Sequence, residues 1–268
     1  MEPEMLFAIY AAILLVVSLA GAYLPQMGRL KDEHAHMMIA ISAGVFIGLL
    51  MFILLPEAIE ESEEGGIDTH YAMMVVALGF VLIMSINVFM KHAHFHGVED
   101  HEEHEEHDHD HDDDLGHELV SITTFIGLAI HAACDGLALA AVFMTGEEMG
   151  LMATIGLCIH KFVELFSLSS TMTLAKIDKK KSMIRLVLFA LITPIMGALF
   201  FLLFSDMEIE GMLGLPLAFA AGTLMYVTMC DLVPESFHRD KTDVKSYILL
   251  LIGLGIMLAL TIIFPHSH

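Results

Sequence analysis

The chain has 268 residues, 56% of them apolar, with a mean hydropathy of +0.72. That is too apolar for a soluble domain of this length, and a formal net charge of −22 argues against a nucleic-acid partner. Little sequence is left outside the apolar runs, so a single integral membrane domain is expected.

Eight apolar runs are read near 5–26, 36–58, 71–91, 119–144, 149–175, 182–205, 212–237 and 246–265. Each is long enough to cross about 30 Å of hydrocarbon. They mix Gly, Ala, Met and Leu without polar alternation, which predicts helices rather than barrel strands. The fold class is therefore an all-α integral membrane protein. The leader Met1-Glu2-Pro3-Glu4 is acidic and lacks a basic n-region, so the first run is expected to remain as a span.

With the N-terminus outside, eleven of the 12 Lys and Arg residues fall in odd-numbered loops, which become cytoplasmic. The even loops carry acids alone, such as Glu60 and Glu61, Glu147 and Glu148, and Asp206 and Glu208. Both termini outside is the expected topology, in a cell (plasma or inner) membrane. The remaining cation, Lys161, lies inside the fifth run.

The third loop, 92–118, is rich in acids and holds His92, His94, His96, His101, His104, His107, His109, His111 and His117. It has too few apolar residues to build a core and is expected to be disordered and cytoplasmic. Nine histidines in so short a stretch predict loose contact with transition metals, although a solvated linker has the same charge pattern.

The fourth and fifth runs carry the most informative residues. His131 precedes Asp135 by four positions, and His160 precedes Glu164 by four. That spacing puts each pair on one helix face, about 6 Å apart along the axis. Ionisable residues at the middle of a bilayer cost roughly 2.5–3.5 kcal/mol each on insertion scales and are functional candidates by default. Two imidazoles and two carboxylates suit Zn²⁺, and with less discrimination Fe²⁺, Mn²⁺, Co²⁺ or Cd²⁺. The two carboxylates would neutralise a divalent ion. No organic cofactor is expected.

Lys161 sits about 100° around the helix from His160. It can stand in for a second cation or form a structural ion pair, with Glu164 or with the intramembrane Asp231 as partner. Cys134 precedes Asp135 and points away from it, so it reads as a neighbour and not a ligand. The three cysteines and most of the 21 Met residues read as buried packing. Glu57 is expected near the outer end of the second run, and Glu235 with His238 near the inner end of the seventh. They are either mouths of the path or interfacial residues in water.

An internal repeat links those two runs. Ala43-Gly44 and Ala221-Gly222 are each followed after eleven residues by Pro-Glu, at Pro56-Glu57 and Pro234-Glu235. The runs point in opposite directions, so the repeat is inverted. A 3+2+3 arrangement follows, in which runs 1–3 and 6–8 flank a two-helix hairpin. The segments are 1–91, the loop 92–118, the hairpin 119–176, and 177–268. Pro56, Pro194 and Pro234 are expected to kink or end helices.

These features together resemble the ZIP (Zrt/Irt-like) family of metal-ion transporters. His131-Ala132-Ala133-Cys134-Asp135-Gly136 is similar to the family pattern His-Asn-x-x-Asp-Gly. His160-Lys161-Phe162-Val163-Glu164 resembles the family segment His-Glu-x-x-His. The resemblance implies import of zinc or a related divalent ion, with a two-metal centre in many relatives. His131, Asp135, His160 and Glu164 fall on the first metal site. Ala132 and Lys161 replace second-site ligands, which implies one ion here. An intramembrane zinc hydrolase would need a base directly after the first His, where this chain has Ala132 or Lys161. A proton-coupled antiporter or exporter is the other competing reading. The expected partners are the divalent ion and the bilayer, and a homodimer is one open assembly.

Overall fold

A bilayer offers backbone N–H and C=O groups no water, so a chain this apolar must satisfy them within each crossing segment. The computed structural model describes residues 3–27, 32–98, 109–145, 147–204, 213–237 and 244–263. Every regular element among these residues is helical. Helix α1 (Pro3–Tyr23) ends in a 3-10 turn at Leu24–Met27. Helix α2 (Asp32–Leu49) passes through a π turn at Leu50–Leu54 into α3 (Leu55–Glu64). Then come α4 (Thr69–Val98), α5 (His109–Thr145), α6 (Glu147–Leu174), α7 (Lys179–Ala190) and α8 (Ile192–Phe204). Helix α9 (Gly214–Tyr226) passes through a second π turn, Val227–Leu232, into α10 (Val233–Ser236), and α11 (Val244–Ile263) follows.

Seven of these segments are long and apolar enough to cross a membrane: Met5–Met27, His34–Glu64, Thr69–Met90, Val120–Leu137, Lys179–Leu203, Gly214–Ser236 and Val244–Ile263. Helix α6 is 28 residues long. It carries His160, Lys161 and Glu164 near its middle.

The prolines act as expected. Pro56 and Pro234 enter the first turns of α3 and α10, each directly after a π turn. Pro194 falls in the first turn of α8, just past the break at Leu191. Lacking an N–H, it cannot bond the Ala190 carbonyl, which ends α7 there. The acidic histidine-rich stretch departs from its expected bounds. Helix α4 continues to Val98 and α5 already begins at His109. Extending a helix that tertiary packing has already nucleated needs no core.

The helices associate in close pairs. On α2, a Cβ at Gly44 would strike the Leu250 carbonyl of α11 and crowd the Leu254 nitrogen at 2.9 Å. A Cβ at Gly253 of α11 would in return strike the Ile41 carbonyl and crowd the Val45 nitrogen at 2.9 Å. The pair α9 with α4 repeats this contact. A Cβ at Gly222 would strike the Val76 carbonyl and crowd the Phe80 nitrogen at 2.9 Å, and one at Gly79 would strike the Phe219 carbonyl and meet the Thr223 nitrogen at 3.2 Å. Lipid gives helices no hydrophobic reason to associate, so backbone contact through small residues carries the packing. The outward faces are apolar, with Val16, Phe89, Leu202 and Ile262 all at least two-thirds exposed.

Gly222→Ala is expected to force α9 off α4 and to lower the melting temperature of the purified protein, at a cost of about 1–3 kcal/mol. Gly255→Ala, where an added Cβ meets nothing within 4 Å, is the matched control and is expected to be silent.

Candidate metal centre

Helices α5 and α6 pack side by side and bring the two His-x-x-x-acid pairs face to face. His131 Nε2 lies 3.3 Å from His160 Nε2 and 3.6 Å from Asp135 Oδ1. His160 Nε2 lies 3.2 Å from Asp135 Oδ2 and 3.9 Å from Glu164 Oε2. One ligand atom from each residue falls within 4.8 Å of the others, and all four side chains are buried. Ligands bound tetrahedrally at about 2.0–2.2 Å stand about 3.3–3.6 Å apart, so these separations are close to the edges of such a shell.

The imidazoles are aimed by their surroundings. His131 Nδ1 donates to the Ala220 carbonyl of α9 at 3.2 Å. A carbonyl only accepts, so the proton belongs on Nδ1 and the Nε2 lone pair faces the cluster. The His160 ring meets His131 edge-on, with centroids 5.2 Å apart, and Phe46 backs it at 6.4 Å. His160 Nδ1 and Glu164 Oε1 are buried with no hydrogen-bond partner among the described residues. Buried polar atoms are seldom left so.

Lys161 enters this cluster despite its offset on the helix, because its four-carbon stem bends back. Its Nζ lies 2.7 Å from Asp135 Oδ2 and pairs with Glu164 Oε2. The ammonium also stands over the Phe189 ring at 6.0 Å. Sequence reasoning offered Glu164 or Asp231 as partner. The structure gives Glu164 and adds Asp135.

The family model described as "ZIP Zinc transporter" matches residues 91–261. The chain belongs to the ZIP family. It is 27% identical to "Zinc transporter ZIP9" of Micropogonias undulatus, over 84% of each chain. It is 23% identical to "Zinc transporter ZIP9-A" of Xenopus laevis, over 96% of this chain and 98% of that one. It is 28% identical to "Fe(2+) transport protein 3, chloroplastic" of Arabidopsis thaliana, over 54% of this chain and 36% of that one. As a ZIP family member the chain is a membrane transporter of divalent metal ions, and the hydrolase reading falls away.

The other residues singled out are dispersed. Asp231 lies in the second π turn, where its Oδ2 accepts from Thr123 Oγ1 at 3.0 Å and its Oδ1 from Asn87 Nδ2 at 3.5 Å. Asn87 was readable as an amide inside an apolar run, which is itself a functional signal. Glu235 is buried, and its carbonyl accepts from His36 Nδ1 at 2.8 Å, a contact that nothing in the spacing announces. Glu57 is half-buried in the first turn of α3. His92 is exposed on α4. His94 and His96 belong to the backbone of α4, and His109 and His111 to that of α5. His101, His104, His107 and His238 lie outside the described residues. Cys134 is not part of that four-residue cluster and lines an apolar groove with Leu137, Met196 and Phe219.

Proposed function

We propose that the protein carries zinc into the cytoplasm through a one-ion site made of His131, Asp135, His160 and Glu164. The observation that carries this reading is the convergence of four buried donor atoms within 4.8 Å, on two helices, with the ligand types a divalent ion takes. Zinc transport is what the ZIP9 relatives' names state, and the neutral-imidazole and carboxylate set agrees with it. Lys161 takes the place of a second cation. Asp135 and Glu164 bring two negative charges, and Lys161 offsets one of them.

The site sits on a hairpin, 119–176, between inverted halves at 1–91 and 177–268. Eight crossings in a 3+2+3 order are supported by the length of α6 and by the matched glycine contacts of α2 with α11 and of α9 with α4. Basic residues confined to odd loops support both termini outside, and leave 92–118 to meet the ion on the cytoplasmic side.

Radioactive zinc uptake into proteoliposomes tests the site. His131→Ala and His160→Ala are each expected to fall to the background of protein-free vesicles, and uptake at the wild-type rate in either would refute the assignment. Adding Fe²⁺ to the same assay measures how far the site prefers zinc.

A further inference from the structure

Five of the chain's 12 Lys and Arg residues, Lys176, Lys179, Lys180, Lys181 and Arg185, gather where α6 turns into α7. The chain as a whole has a formal charge of −22, so this is a strong local reversal. Asp178, the one acid between them, is committed to the backbone. It caps α7 by accepting from the Lys180 and Lys181 nitrogens at 3.1 and 3.3 Å.

The turn itself is built around a cation. Lys176 N–H bonds the Thr173 carbonyl and Ile177 N–H the Met172 carbonyl, both at 3.1 Å, which closes α6. Lys176 has φ 51°, and no other non-glycine residue among the described ones has a positive φ. Glycine is the usual residue in this conformation, because an L side chain is strained there. One cation suits the carbonyl end of α6. A run of further exposed cations does not follow from that.

The position fits a bilayer surface. Lys176, Lys180 and Lys181 are exposed, and within two turns α7 presents Ile184, Val187 and Leu188 outward, as acyl chains require. Lys179 stands over the half-exposed Tyr23 ring at 6.0 Å, and aromatic residues favour the headgroup level. The Lys179 ammonium donates to the Gln26 carbonyl at 2.8 Å, and the Gln26 amide reaches Ser169 and Thr173 of α6 and Ser182 of α7. The patch is thus fastened to the helix that carries His160 and Glu164.

We propose that the α6–α7 turn binds the phosphate of an anionic phospholipid headgroup through Lys176, Lys180 and Lys181. Clusters of this size beside a membrane crossing attract anionic lipid charge by charge. The test does not depend on transport, so it stands even if the metal site is wrong. Full-length protein is placed in nanodiscs of phosphatidylcholine with a minority of phosphatidylglycerol, and native mass spectrometry counts the phosphatidylglycerol retained. Wild type is expected to retain it and to release it in high salt. Combining Lys176→Gln, Lys180→Gln and Lys181→Gln should weaken retention by about fivefold for each charge removed. The matching Lys→Arg triple should keep it. Three results would each overturn the proposal: equal retention in the Gln triple, salt-insensitive retention in wild type, or displacement of the lipid by millimolar inorganic phosphate.

Discussion

Asp135→Ala is expected to bring zinc uptake into proteoliposomes down to the level of empty vesicles and to lower the melting temperature as well. The two effects have separate causes. The carboxylate is within 3.6 Å of both imidazoles, so its loss opens the coordination shell. It is also one of two anions holding the buried Lys161 ammonium. Removing one partner of a buried ion pair costs about 3–5 kcal/mol. A second substitution separates these effects. In Asp135→Ala with Lys161→Ala the stranded cation is gone, so the melting temperature should recover. Uptake should stay about tenfold or more below wild type, because a ligand is still missing. Recovery of uptake together with stability would show that Asp135 serves only the fold.

Lys161→Met should produce the opposite pattern. Methionine keeps much of the stem's volume and removes the charge, leaving Asp135 and Glu164 as facing carboxylates. Without metal the variant should melt well below wild type, again by about 3–5 kcal/mol. With zinc the charges of site and ion cancel, so the zinc-induced rise in melting temperature should exceed that of wild type. Saturation at about a hundred times the dissociation constant is worth about 2.7 kcal/mol to any protein, and tighter binding adds to that. In the uptake assay both the half-saturating zinc concentration and the maximal rate should fall, because a firmer grip slows release. If the variant matches wild type in melting temperature and in its response to zinc, Lys161 is not a competitor for the ligands.

The convergence of His131, Asp135, His160 and Glu164 was legible because helix geometry is local. A spacing of four fixes a shared face whatever the rest of the fold does, and two such pairs on successive runs could be read directly. The reach of Lys161 to Asp135 was not legible, since it depends on how α5 and α6 are rotated against each other. The same holds for Asp231. It needed a polar partner, and Thr123 and Asn87 supply it from two other helices. Composition marked 92–118 as unable to form a core, which does not stop α4 and α5 from propagating into it as helix. The prolines announced breaks at 56 and 234, but nothing local foretold that a wider π turn would precede each of them.

The two glycine junctions leave a mark that needs no coordinates to detect. A saturation scan scoring survival should find narrow intolerant windows around 41–45 and 219–223, matched by windows around 76–80 and 250–254 on their partners. Outward positions such as Val16, Phe89 and Leu202 should accept almost any greasy replacement. The tolerance map of α2 and α4 would then lie over that of α9 and α11, so genetics alone would test the proposed kinship of the two halves.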